Sequence, residues 1–510
     1  MSKIRMVVVA GSAGLIGALL ASARQQNEGE RLFTDVLSVV SSRFVDPINR
    51  SELLNKAAVG LLDQLNDPYA HLYPPAEQDE FRQTHQGNYG GVGMTIEDRD
   101  GVHTVVRVFH DTPAERAGFQ EGDRIRSVNG VVVRGWPLEQ VTGRIKGEPG
   151  SKVTLEYLRG SSAPQMSTMI RAIVRIPAVP YSVKIDDVGY IPLLQFGETS
   201  SDEVTAAITA LKQQGAKSIV LDLRGNGGGL LDEAVEISDL FLPSGDTVVV
   251  QRERRESTTY TAQDAVDQGT APVVVLVDQA SASASEIVAG ALQDHDRALI
   301  LGDSTYGKGV VQTVYRVGGN NILKLTTGEW LTPAGRSIHR KRERVDGRWS
   351  VVVDSAAQRR TFKSDAGRVL SGLGGISPDL FVANDTLTTS EQKFLEAVRP
   401  QSSDFYLAYT SLAAELKSQV KPGFTIQPQW LDDLYERMQT RGIKVTRAQY
   451  DGARGYISDL LAFRIARHAF GDAEAKRQFV GRDRQLSEAI RLLRTHATQR
   501  ELLTVTQRGN

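Results

Sequence analysis

The chain has 510 residues, 40% hydrophobic and 24% charged, enough apolar material for about three or four packed units. Its 60 basic and 61 acidic residues leave a net charge of -1, which argues against the basic field of a nucleic-acid binder. With no cysteine, disulfides, thiol catalysis and cysteine metal sites are all excluded.

The N-terminus has the layout of an export signal. Lys3 and Arg5 precede the uncharged run Met6–Ala21, and Ala21-Ser22-Ala23 supplies a small-x-small cleavage pattern. That run is 16 residues long, short of the roughly 20 needed to span a bilayer, and Gly11, Gly14 and Gly17 weaken it as an anchor. Residues 1–23 are therefore expected to be a cleaved signal peptide. The mature chain is expected in the periplasm or another extracytoplasmic space, with room for peripheral membrane contact only.

Residues 30–78 carry helical spacing in Leu32, Val36, Val39 and Val40, and again in Leu53, Leu54, Ala57, Leu61 and Leu62. From Gly87 to about 175 the pattern turns to short strands and turns, with a strand over Val102–Val108, a short helix over Leu138–Ile145 and a strand over Val153–Leu158. From 176 to about 390 strands alternate with helices. Ser218–Leu223 and Val273–Val277 read as strands, and Val204–Gln213, Leu231–Phe241 and Ser285–Leu292 as helices. Such alternation predicts an α/β core with partly parallel strands. The charged stretch within 340–370 reads as a solvated hairpin or loop, and residues 391–510 as a helical domain.

Within 87–160, Gly90-Gly91-Val92-Gly93-Met94 is a Gly-rich turn entering a strand. Asp111-Thr112-Pro113-Ala114, Gly118, Gly122-Asp123 and Val128-Asn129-Gly130 follow. Together they resemble a PDZ domain, expected over residues 79–175. The resemblance implies capture of an extended peptide on a strand edge, with its carboxylate on the backbone of Gly91, Val92 and Gly93. The plainer reading is that the glycines only permit tight turns.

Two stretches bear on catalysis. Asp278-Gln279-Ala280-Ser281-Ala282-Ser283-Ala284-Ser285-Glu286 surrounds serines with small residues at a helix start, and Gly302-Asp303-Ser304-Thr305-Tyr306-Gly307-Lys308-Gly309 follows a strand. A serine needs a base, and a lysine serves only when uncharged, as desolvation favours. Taken alone, Ser283 and Glu286 have the spacing of a helix cap. Gly302-x-x-x-x-Gly307-Lys308 also matches much of a phosphate-binding loop. Gly309 stands where Ser or Thr is required, however, and Val310–Val317 looks like a strand rather than a helix. Among the eight histidines, His295 reads as a surface residue at a helix end; there is no His-Glu-x-x-His and no Gly-x-Ser-x-Gly.

These stretches, with Asp222-Leu223-Arg224-Gly225-Asn226-Gly227-Gly228-Gly229 and the PDZ-like segment, occur in the order found in carboxyl-terminal processing (tail-specific) serine peptidases, which this chain resembles over about 30–335 and weakly at Gly375–Asp379. The resemblance implies a multidomain α/β fold. A mixed-sheet peptidase core of crotonase-like ββα units over 176–390 would carry the inserted PDZ domain and helical N- and C-terminal segments. It implies Ser283 as nucleophile, Lys308 as base, Gln312 orienting the lysine, and Ala284 and Gly229 N–H groups as oxyanion donors. No metal or organic cofactor is implied. The expected partners are polypeptides with accessible C-termini, and the helical termini leave room for a homo-oligomer. The competing expectation is a non-catalytic PDZ adaptor with a decayed site.

Overall fold

The computed structural model describes residues 28–78, 88–160, 162–263, 271–352, 360–372 and 374–505. The expected signal peptide lies outside these residues. The chain forms two compact units, one of residues 1–75, 312–326 and 342–350, the other of 76–311, 327–341 and 351–510.

In the first unit a helix over 28–43 (α1) is followed by α2 (Arg50–Asp63), whose N-cap Asn49 accepts the Glu52 N–H at 2.8 Å. The helical spacing is real, but it marks an exposed stripe: Leu32, Val36, Val39, Leu54 and Leu61 face solvent, and α2 buries no residue. Strand β1 (His71–Tyr73) pairs antiparallel with residues 322–324.

The second unit begins with β2 (Asn88–Gly91), which pairs with β8 (Ala172–Arg175). Between them, β3 (Met94–Arg99), β4 (Val102–Val108), β5 (Arg124–Val128), β6 (Lys152–Leu158) and β7 (Gln165–Ile170) form a sheet in the order 3-4-5-6-7. Helix α3 (Leu138–Ile145) closes its core through Val141 and Ile145, against Val92, Met94, Ile96, Val105 and Leu155.

The central sheet runs β9 (Val183–Ile185), β10 (Val188–Pro192), β11 (Ser218–Asp222), β12 (Val273–Val277), β13 (Leu299–Gly302) and β14 (Leu380–Phe381), side by side in that order. β9 is antiparallel to β10, and the other pairings are parallel. Helices α4 (Ser200–Gln213), α5 (Leu231–Asp239) and α6 (Ala284–Asp294) cover one face, where Ile219, Leu221, Val273, Val275 and Val277 meet Ile208, Ile237 and Val288. Val220, Val274, Leu276, Leu299 and Leu301 point the other way, into Leu486, Ala489, Ile490 and Leu493. Both faces are covered, so these strands are unbroken apolar runs instead of alternating ones.

The C-terminal helices divide between two cores. Thr389–Val398, Ser402–Leu416, Pro428–Thr440 and Arg454–Phe470 pack around Phe394, Leu412, Leu434, Tyr450 and Ile457. The helix Arg484–Thr495 belongs to the central sheet instead. In the 340–370 stretch, Arg342–Val345 and Arg348–Val351 pair as a two-stranded hairpin, largely exposed.

Candidate active site

Three loops leave the carboxyl ends of three adjacent parallel strands, the place where open α/β sheets bind ligands. Gly225–Gly229 follows β11, Asp278–Ser283 follows β12, and Asp303–Gly309 follows β13. The last two start side by side: Val277 pairs with Gly302, and the Asp303 N–H donates to the Val277 carbonyl at 3.0 Å. Only glycine serves at 302, because at its φ of 131° a Cβ would lie 2.0 Å from that carbonyl oxygen.

The serine turn is pinned by its neighbours. Asp278 Oδ1 accepts the N–H groups of Ala280 and Gly225, each at 3.0 Å. The Ser281 hydroxyl donates to the Leu223 carbonyl at 2.8 Å, and the Ser285 hydroxyl to the Asn226 carbonyl at 2.9 Å; both serines are fully buried. Ser283 stands between them, half-buried, at the N-cap of α6. Its φ of 57° and ψ of -114° are a costly backbone conformation for a residue with a Cβ, of the kind that collects at functional sites.

Glu286 joins the serine turn to the lysine loop. Its Oε2 accepts the Ser283 N–H at 2.9 Å and the Lys308 N–H at 2.8 Å, while Oε1 accepts the Thr305 hydroxyl at 2.5 Å and the Gly307 N–H at 2.7 Å. One carboxylate oxygen thus binds the backbones of both expected catalytic residues. The side chain is fully buried, and burial raises its pKa against the pull of these four hydrogen bonds. Lys308 is half-buried and leads directly into the strand Val310–Val317, so the helix that a phosphate-binding loop requires is not there.

The Gly225–Gly229 loop is pressed onto the serine turn. A Cβ on Gly228, whose φ is 98°, would lie 2.8 Å from Ser283 Cβ and 2.9 Å from Ala284 N. The Gly228 N–H is taken by Asn226 Oδ1 at 2.9 Å, and the Leu230 N–H by the Phe196 carbonyl at 2.8 Å. Among the described residues no hydrogen bond takes up the N–H of Gly229 or of Ala284. The glycines therefore make a tight strand-to-helix connection against the serine turn, and the Gly229 N–H is left open in it.

In the PDZ-like domain, among the described residues, β3 pairs only with β4, which leaves its other edge open beside α3. The Val92 carbonyl accepts the Ala114 N–H at 2.7 Å and the Gly93 carbonyl accepts the Phe109 N–H at 3.0 Å. No described partner takes the N–H of Val92 or of Gly93. Gly93 has φ 85°, and a Cβ there would lie 2.3 Å from Thr112. Val92 itself is buried in the domain core, which orients the turn.

The profile of peptidase family S41 matches residues 187–347, and that of a PDZ domain matches 104–159. A carboxy-terminal-processing protease of Bartonella bacilliformis is 35% identical over 342 residues, covering 65% of this chain and 78% of the relative. The chain belongs to peptidase family S41. Carboxy-terminal processing protease CtpA of Bacillus subtilis is 31% identical over 333 residues, covering 65% of this chain and 71% of that protein. The solved photosystem II D1 C-terminal processing protease shares 26% identity over 68% of this chain and 85% of its own, with a TM-score of 0.37. The protein is thus a serine-type peptidase with a PDZ domain, and the expected α/β fold class holds.

Other candidate residues of this S41 peptidase fall as follows. The Gln312 side-chain amide donates to the Tyr69 carbonyl at 3.0 Å, inside the first unit. His295 does end α6, but it is not a surface residue: its side chain is 11% exposed, with Nε2 2.8 Å from the Thr247 carbonyl and Nδ1 2.7 Å from the Asp365 carboxylate. A carbonyl and an ionised carboxylate only accept, so this arrangement favours the ring with hydrogen on both nitrogens. Burial lowers its pKa, but the bonds to Asp365 and Thr247 outweigh it and leave the value raised. A raised folded pKa contributes stability that is complete below the unfolded value of about 6.5 and lost as pH rises through the folded value. Urea midpoints at about pH 6 and about pH 9 should therefore differ more for wild type than for His295→Asn. Equal differences would show that the ring is not linked to folding.

Sequence reasoning assigned Glu286 only to a helix cap. The Ser-x-x-Glu spacing pointed to the Ser283 bond, but nothing local pointed to Thr305, Gly307 and Lys308.

Proposed function

We propose that this S41 peptidase is an endopeptidase that cuts exported polypeptides near their C-termini with a Ser283–Lys308 dyad. The observation that carries this reading is the Glu286 carboxylate oxygen that accepts the backbone N–H of both Ser283 and Lys308. Small residues flank the serine, and its two serine neighbours are occupied in anchoring the turn.

A substrate tail adds as a strand to the open edge of β3, with its carboxylate on the N–H groups around Gly91, Val92 and Gly93. The Ser283 hydroxyl attacks the scissile carbonyl while the Lys308 amine removes its proton. Gln312, four positions on, orients that amine, as the family resemblance implies. Negative charge on the former carbonyl oxygen is met by the N–H groups of Gly229 and Ala284, aided by the positive end of α6. Lys308 returns the proton to the leaving amine, and water then releases the acyl group from Ser283. Movement of the PDZ domain gates the site. Export rests on residues 1–23; no described helix is long and apolar enough to cross a membrane.

The test is cleavage of one unfolded peptide with a free or an amidated C-terminus, with Ser283→Ala as blank. Loss of the charged hydrogen bonds at the tail should lower kcat/KM by about 10- to 100-fold for the amide. Equal cleavage of both would remove the tail-capture role. Binding without any cleavage by wild type would favour the adaptor reading.

A further inference from the structure

Arg224 leaves β11 just ahead of the Gly225–Gly229 loop, and two carboxylates share its guanidinium. Nε and Nη2 donate to Asp222 Oδ1 and Oδ2 at 2.9 and 2.6 Å. Nη1 and Nη2 donate to Asp483 Oδ1 and Oδ2 at 2.9 and 2.8 Å, and Nη1 also reaches Gln485 Oε1 at 3.1 Å. Asp222 is the local partner, two residues away in the chain; Asp483 comes from the far C-terminus.

Asp483 is itself held firmly. It is the N-cap of the helix Arg484–Thr495 and accepts the Leu486 N–H at 3.0 Å, while Lys476 Nζ approaches Oδ2 at 2.7 Å. That helix is seated by Leu486, Ala489, Ile490 and Leu493 on the same strands that carry the three catalytic loops. Gln485 Nε2 also donates to the Val382 carbonyl at 2.7 Å. Fork-to-fork pairs of arginine and carboxylate fix orientation as well as position. From Arg224 the chain passes to Gly225, bound to Asp278, and to Asn226, whose side chain donates to the Leu193 carbonyl at 2.8 Å and accepts the Gly228 N–H.

We infer that Asp483 is a positioning residue for catalysis, holding Arg224 and with it the loop that presents the Gly229 N–H beside Ser283. The inference rests on the proposed peptidase reaction. It makes the last helices, which lie outside the stretch matched by the S41 profile, a working part of the active site.

Asp483→Asn separates this role from helix capping, because Asn caps as well as Asp, yet it turns an amide toward the guanidinium where a carboxylate oxygen was. The expected result on an unfolded peptide is a fall in kcat of about tenfold with KM unchanged, since a displaced oxyanion donor costs less than a deleted one. Affinity for a peptide boronate, which places an oxyanion at the site, should fall by the same factor. Binding of a C-terminal peptide to the PDZ domain should not change. Asp483→Glu, which restores the carboxylate, should recover part of the loss. The inference is overturned if Asp483→Asn turns over at the wild-type rate. It is also overturned if its loss matches the fraction unfolded in a thermal melt, or if boronate and PDZ peptide weaken alike. Absence of cleavage by wild type would overturn it too, but through failure of the peptidase reading itself.

Discussion

Lys308→Arg is expected to abolish cleavage as completely as Ser283→Ala, lowering kcat/KM by about 10³-fold or more. The substitution keeps a long cationic side chain in place, so a merely structural or charge-stabilising role for Lys308 would leave much of the activity. A guanidinium cannot be deprotonated at ordinary pH, however, and so cannot take the proton of the Ser283 hydroxyl. In the wild type, rate should rise with pH as the amine loses its proton and should fall on the acid side. The measurement is initial rate on an unfolded peptide across pH, with folding of each variant followed by circular dichroism. If Lys308→Arg keeps more than about a tenth of the rate, Lys308 is not the base.

Glu286→Gln should cost both stability and rate. Each carboxylate oxygen accepts two donors, and an amide can replace only one oxygen as acceptor. Turned toward Ser283 and Lys308, its NH2 group leaves two N–H donors without a partner; turned the other way it leaves only that of Gly307, because the Thr305 hydroxyl can rotate and accept from the amide. At about 1–3 kcal/mol for each buried unsatisfied group, the loss is about 2–6 kcal/mol for the first orientation and about 1–3 kcal/mol for the second. If the amide turns its nitrogen toward Ser283 and Lys308, the link between the two loops opens, and a shift of about 1 Å there costs about 10²-fold in rate. Denaturant midpoints and kcat measured on the still-folded variant test the two halves separately. A variant as stable and as fast as wild type would show that the four bonds do not matter to either.

The proposed function divides the work of the PDZ domain and the peptidase core between two kinds of geometry. In the proposed function, the β3 edge offers a row of backbone groups that any extended tail can satisfy, and so would select an end more than a sequence. The proposed chemistry instead asks for close placement of the three loops at the ends of β11, β12 and β13, which are tied by hydrogen bonds to Asp278, Asn226 and Glu286.

Much of this was legible in the chain order of residues. Runs such as Val273–Val277 and Leu299–Gly302 announce buried parallel strands, because both faces of the sheet are covered and no polar alternation is needed. Gly302 and Gly228 mark places where two backbones approach too closely for a Cβ, and Gly93 a place where the Thr112 side chain does. Ser283 and Lys308 stand among small or uncharged neighbours, but locally Ser283 reads as a helix cap, and both were singled out by the resemblance to carboxyl-terminal processing peptidases. The N-terminal stripe of Leu32, Val36 and Val39 was also visible as helix, but periodicity reports a face and not what covers it; here it is exposed.

What only tertiary structure decided are the contacts between residues far apart in the chain. The spacing around Glu286 suggested a cap, and folding added three donors from 19 to 22 residues away. Arg224 lies 259 residues from Asp483, and neither sequence neighbourhood advertises the other. The amphipathic pattern of Arg484–Thr495 would look the same on any apolar surface; the exposed sheet face left by α4, α5 and α6 gave it one. Local sequence thus set the strands and the turns, since those follow from periodicity, size and backbone freedom. Their alignment came from the chain closing on itself, which satisfies buried charge and apolar area with whatever partners arrive.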